Sequence, residues 1–193
     1  MLQVESPFGF GDPQSPLIPR SPLLARLSLC VRCMEWNDRS LLAQFQGSQG
    51  KSRLADALKL QSLVRDQELA LEFARHVSLE VVPSGSTLIR QGASASDLFL
   101  ILTGEFSILV NEDIVERRAP GEYVGEMALV DPHAPRSASV IAACDSVVAR
   151  ITEPDFSKLA DRFPRLWRRI ASGLAARLRR TRFTIDNHDR QLA

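Results

Sequence analysis

Cysteine, aromatic residues and net charge are all scarce in this chain of 193 residues, and each shortage removes a class of protein. Three cysteines, an odd number, do not supply a disulfide framework and point to a reducing compartment. One tyrosine, two tryptophans and nine phenylalanines argue against an aromatic platform for single-stranded nucleic acid. A net charge of +1 creates no overall field toward polyanions or anionic membranes. No apolar run approaches the roughly 20 residues of a membrane-spanning helix. The start, with Pro7, Pro13, Pro16 and Pro19, lacks the charged region and apolar core of a secretory signal. A cytoplasmic protein with no membrane partner is expected.

What is present suits one domain with extensions, since 45% hydrophobic content suffices for a packed core. Residues 1–48 carry many turn formers and no sustained periodicity, and read as a flexible extension in which Met34 offers an alternative start. From Ser52, expected as an N-cap, Leu54, Ala57, Leu58, Leu60 and Leu63 recur at helical spacing. Asp66 opens a second helix toward His76. The domain is assigned to residues 49–182, and 183–193 are assigned to a C-terminal tail.

Between Ser78 and Ile151 the pattern becomes short strands with turn residues at close intervals: Pro83–Gly85, Gly92, Gly104, Asn111–Asp113 and Pro120–Gly121. Many short, evenly spaced strands predict a closed or double-sheet β fold. Helices follow it. Thr152 or Glu153 begins a short one, and a long one runs from Pro164 to about Arg182. Leu166, Ile170, Leu174 and Leu178 repeat every four residues along it, and the arginines beside them read as a solvated face.

One stretch carries chemistry. Gly125-Glu-Met-Ala-Leu leads through a Pro-containing loop to Arg136-Ser137-Ala138. Glu126 can accept from sugar hydroxyls, Met127 and Ala128 offer N–H groups at a helix start, and Arg136 can pair with a charged oxygen. A cyclic phosphate diester keeps one negative charge near neutral pH, and a planar guanidinium suits it. The competing expectation is that Glu126 and Arg136 pair with each other or cap the short helix of an empty pocket.

This stretch resembles the phosphate-binding cassette of the cyclic nucleotide-binding domains. The runs Gly85–Gly92 and Asp97–Gly104 resemble that family's second and third strands. The resemblance implies a mainly β fold with flanking helices, an eight-stranded jelly-roll β-barrel. It implies Glu126 on the ribose, Arg136 on the phosphate, Ser137 beside it, and a ligand site of Gly125, Glu126, Met127, Ala128, Arg136, Ser137 and Ala138. On alignment with catabolite activator-type regulators, Thr181 falls on a base-contacting threonine. The family's usual Phe before the glycine is Val124 here, which bears on packing more than chemistry.

The expectation is therefore a non-enzymatic sensor with no catalytic residues, no metal and no cofactor. Its ligand is a cyclic mononucleotide such as cAMP, cGMP, cCMP or cUMP. Movement of the C-terminal helix signals occupancy, through a homodimer on that helix or an effector protein in trans. Direct DNA binding is not expected, because eleven residues after Arg182 are too few for a helix-turn-helix. Two alternatives remain: a remnant or subunit of a catabolite activator-like regulator, and a separately encoded receptor resembling antiphage effectors with a TIR-type NAD-cleaving domain. Cys30-Val-Arg-Cys33 has half the spacing of a zinc site but no second ligand pair, so it reads as incidental. Gly47–Ser52 ends like a phosphate-binding loop, yet Phe45 stands where the required glycine belongs. His133 reads as a solvated loop residue.

Overall fold

The computed structural model describes residues 42–47 and 49–191, with side chains as far as Arg180. Residues 1–41 and 48 of the extension, with Cys30 and Cys33, and the Thr181 side chain therefore lie outside the described residues.

Helix α1 (Gly50–Lys59) buries Leu54, Ala55 and Leu58. It begins two residues before the expected Ser52 cap, after Gln49, which makes no side-chain capping bond. A turn closed by Gly50 N–H on the Gly47 carbonyl (3.1 Å) feeds the chain directly into the helix. A Cβ at Gly50 would stand 2.3 Å from the Phe45 carbonyl oxygen, so glycine permits that entry. The helix also stops short of Leu63, leaving Leu60 80% exposed. After it, buried Gln61 donates to the Ile101 carbonyl (2.9 Å) and ties the connection to the barrel. Helix α2 (Gln67–His76) starts as expected, with Asp66 Oδ1 accepting from Leu69 N–H at 2.9 Å.

Eight strands form two four-stranded antiparallel sheets, and together they make the jelly roll. One sheet has the order β1 (Ser78–Val82), β8 (Ser146–Ile151), β3 (Leu98–Thr103), β6 (Tyr123–Val124). The other has β2 (Thr87–Ile89), β7 (Ser139–Ala142), β4 (Phe106–Val110), β5 (Asp113–Arg118). The β4–β5 turn places Asn111 and Glu112 at φ 51° and 73°, the left-handed pair that matches strand twist in a two-residue hairpin.

Strand β3 shows why the core divides in two. Its residues Leu98, Leu100 and Leu102 face the helices, packing with Leu58, Phe73, Phe156 and Leu166. Phe99 and Ile101 point the other way, against Phe106, Val124 and Val140. Alternate side chains leave a strand on opposite faces, so a continuous apolar run marks a strand covered on both.

Helix α3 (Met127–Val130) is the short cassette helix, and α4 (Glu153–Arg162) is capped by the Thr152 hydroxyl. Helix α5 (Arg165–Gln191) begins one residue after Pro164 and continues nine residues past Arg182, with no Gly or Pro to stop it. Leu166 and Ile170 on it are fully buried, Leu174 packs against the same core, and Leu178 is 59% exposed. Its arginines are not simply a solvated face. Arg169 donates to the carbonyls of Leu63 (2.8 Å) and Val64 and pairs with Asp66. These bonds pin α5 to the α1–α2 connection.

Candidate functional site: a cavity at the cassette

Strand β6 delivers the chain into Gly125, whose φ is +90°. A Cβ there would lie 2.6 Å from the Asp97 carbonyl oxygen and 2.8 Å from Arg136 Nη1. Both conformation and space require glycine. Eleven residues on, the loop returns along the β2–β3 connection, where Arg136 N–H donates to Ala93 O (2.9 Å) and Gly92 N–H donates to Arg136 O (2.8 Å).

That path buries the Arg136 side chain beside Gly125. Its Nη1 donates to Gly125 O at 3.0 Å and its Nη2 to Asp97 O at 2.7 Å, while its buried Nε–H has no acceptor. Burial pushes this guanidinium below its usual pKa, opposed by the charges of Asp97 and Glu126. Among the described residues no carboxylate forms an ion pair with it. It is a buried cation held by neutral carbonyls.

Glu126 is 5% exposed, and it pairs neither with Arg136 nor with the first turn of α3. Its partner is Arg177 on α5, in a close ion pair. Arg177 Nη2 also donates to Tyr123 O at 3.2 Å, and the guanidinium lies 5.0 Å from the Tyr123 ring centroid. Burial raises the Tyr123 hydroxyl pKa, with Arg177 acting against that rise. The ring sits close under α5, since a Cβ at Gly173 would be 2.3 Å from its hydroxyl.

Gly125, Glu126, Met127, Ala128, Arg136, Ser137 and Ala138 all line one cavity of about 170 Å³. Ser137 is exposed, and its hydroxyl donates to the Met127 sulfur at 3.3 Å. The remaining wall includes Ile89, Ile108, Val124 and Val140, with Arg118 and Arg177. A larger groove of about 410 Å³ lies on the other side of Arg177, between α5 and the α1–α2 connection, but contains none of these cassette residues.

Sequence reasoning missed Arg118 and Arg177. Arg177 had a signal: it stands seven residues after buried Ile170, two turns along the same face. Arg118 had none, because Arg117-Arg118 ends a strand whose apolar residues, Ile114 and Val115, are both exposed, and only the fold shows which of the two arginines is buried.

Residues 79–163 match the family profile described as the cyclic nucleotide-binding domain. This part of the chain is a cyclic nucleotide-binding domain. Over 139 residues the chain is 45% identical to the Pycsar effector protein BcPycTIR of Burkholderia cepacia, covering 72% of this chain and 46% of that protein. Over 120 residues it is 32% identical to the cAMP-activated global transcriptional regulator CRP of Salmonella typhimurium, covering 60% of this chain and 57% of that one. The structure of the Thermus thermophilus Catabolite Activator Protein matches at a TM-score of 0.60 and 26% identity, over 67% of this chain and 63% of that one. The chain spans about half the length of these curated relatives.

Proposed function

We propose that the cavity binds a 3′,5′-cyclic mononucleotide and that α5 reports its occupancy. The observation that carries this is the Arg136 guanidinium, buried against carbonyls and, among the described residues, without a carboxylate in ion-pair contact. A singly charged cyclic phosphate would neutralise it and bond donors the protein leaves open. Glu126 then takes the ribose hydroxyl, and the backbone N–H groups opening α3 add donors. Kinship with a regulator described as cAMP-activated supports the ligand class. Calorimetric titration with cAMP, cGMP, cCMP and cUMP tests it, and no heat with any of them refutes it.

Output follows from the Glu126–Arg177 pair. A ribose hydroxyl on Glu126 competes with the ion pair between Arg177 of α5 and the cassette, so binding shifts the helix. Arg177→Ala should leave nucleotide affinity within about tenfold of wild type, because a cation that competes for Glu126 is lost along with whatever contact it makes. Hydrogen exchange of the α5 amides after Leu174 should then become insensitive to ligand. A ligand response undiminished in the variant rules out this coupling.

The far end of the seam supplies a surface for that output. Leu178 is exposed and Leu174 half-buried, which suits pairing of two α5 helices in a homodimer. Leu178→Ser spares the core, and light scattering should show it converting a dimer to a monomer. A wild-type monomer with and without nucleotide discards the dimer.

A second reading rests on the 45% identity to a protein described as an effector. There the domain is the receptor part of an effector, acting on an output module in the same or a separate chain. The domain itself carries out no reaction in either reading.

A further inference from the structure

The groove on the far side of Arg177 holds a lopsided set of charges. Arg65, Arg168, Arg169, Arg177 and Arg180 line it, against one carboxylate, Glu122. The whole chain carries a net charge of only +1, so this surplus is local. Three of the five arginines have carboxylate partners that do not line the groove: Arg169 has Asp66 at 3.6 Å, Arg180 has Glu116 at 3.5 Å, and Arg177 has Glu126. Arg65 and Arg168 are exposed, and among the described residues neither forms an ion pair.

The shape selects among anions. The four arginines of α5 stand at the two ends of the groove, with Ser172, Gly173 and Ala176 between them. From Arg168 to Arg180 the helix rises about 18 Å. A polyphosphate group is compact and would meet one end only. A single-stranded nucleic acid needs rings to stack on, and the one aromatic ring at the groove, Tyr123, already lies under the Arg177 guanidinium. An extended peptide covers the distance in about five or six residues and can set a carboxylate at each end.

We propose that this groove docks an extended, carboxylate-rich segment of a partner protein, and that nucleotide in the cassette cavity tightens the docking. The second half rests on the cyclic-nucleotide reading above. Arg177 lines both spaces. A ribose hydroxyl on Glu126 releases Arg177 from its carboxylate, and the released guanidinium pairs with the docked segment. Each ligand then removes a competitor of the other, and by linkage each tightens the other by the same factor.

A fluorescein-labelled peptide of six glutamates is the probe, followed by anisotropy at about 50 mM salt, where charge pairing is weakly screened. Arg65→Asn with Arg168→Gln removes two groove charges, and asparagine tolerates the φ of 61° at position 65. This double variant should bind the peptide at least about tenfold more weakly than wild type. Arg53→Gln with Arg179→Gln removes the same charge from exposed helix positions outside the groove and should cost less than about threefold. Equal losses in the two double variants would mean diffuse attraction and overturn the docking site. So would binding of tripolyphosphate with none of the peptide. The nucleotide that binds most tightly in calorimetry, at saturation, should strengthen peptide binding at least about threefold in wild type and leave it unchanged in Arg177→Gln. A bound nucleotide that leaves wild-type peptide affinity unchanged overturns the coupling. Failure of every nucleotide to bind would instead refute the cyclic-nucleotide reading, with the docking site still decided by the peptide and the two double variants.

Discussion

Arg136→Ala should lower the affinity for cyclic nucleotides by about 30- to 1000-fold, on the order of 2–4 kcal/mol, as expected for removing the charged partner of a desolvated phosphate. The magnitude follows from how the side chain is held. Its bonds to Gly125 O and Asp97 O orient it, and among the described residues no carboxylate forms an ion pair with it. Asp97 is itself held, its carboxylate 2.8 Å from Arg150 Nη2, so the carbonyl that fixes Arg136 belongs to a tethered loop. Arg136→Lys separates charge from geometry: it keeps the cation, cannot reach both carbonyls with a planar fork, and should fall between wild type and alanine. Calorimetry on the three proteins checks this. Equal affinity of wild type and Arg136→Ala would remove the phosphate site from this cavity.

Gly125→Ala should damage stability and binding together. At φ +90° a side chain costs about 1–2 kcal/mol in backbone strain. The added methyl also meets the Asp97 carbonyl at 2.6 Å and Arg136 Nη1 at 2.8 Å, and the first of these is backbone that cannot rotate away. Together these should cost about 2–4 kcal/mol, lowering the thermal midpoint by roughly 5–15 °C. Affinity should drop at least tenfold, because both anchors of Arg136 are displaced. Gly85→Ala is the control. Its φ is +79°, but nothing lies within 4 Å of its would-be Cβ, so it carries the strain without the clash. It should cost about 1 kcal/mol and leave affinity unchanged. If the two variants behave alike, close packing at Gly125 is not what holds the cassette.

The sequence by itself determined what short-range rules can reach. Glycines and other turn residues at close intervals placed the turns and, between them, the short strands. Asp66 and Thr152 announced their helices through a side chain that reaches only three residues onward. The cassette was legible for the same reason, since its members lie within one short stretch and all of them line one cavity. Only tertiary structure decided the partners of those residues. Glu126 meets Arg177 across 51 positions, and Arg136 meets the Asp97 carbonyl across 39. Of the neighbours Arg117 and Arg118, one pairs with Glu105 at the surface and the other is buried in the pocket. Ser52 lost the cap position because Phe45 and Gly50 make a contact no helical pattern encodes. Periodicity tells which face of an element is apolar, but a charged side chain's role depends on what the fold brings opposite it. That pairing is set by strand order and helix docking rather than by near neighbours in the chain.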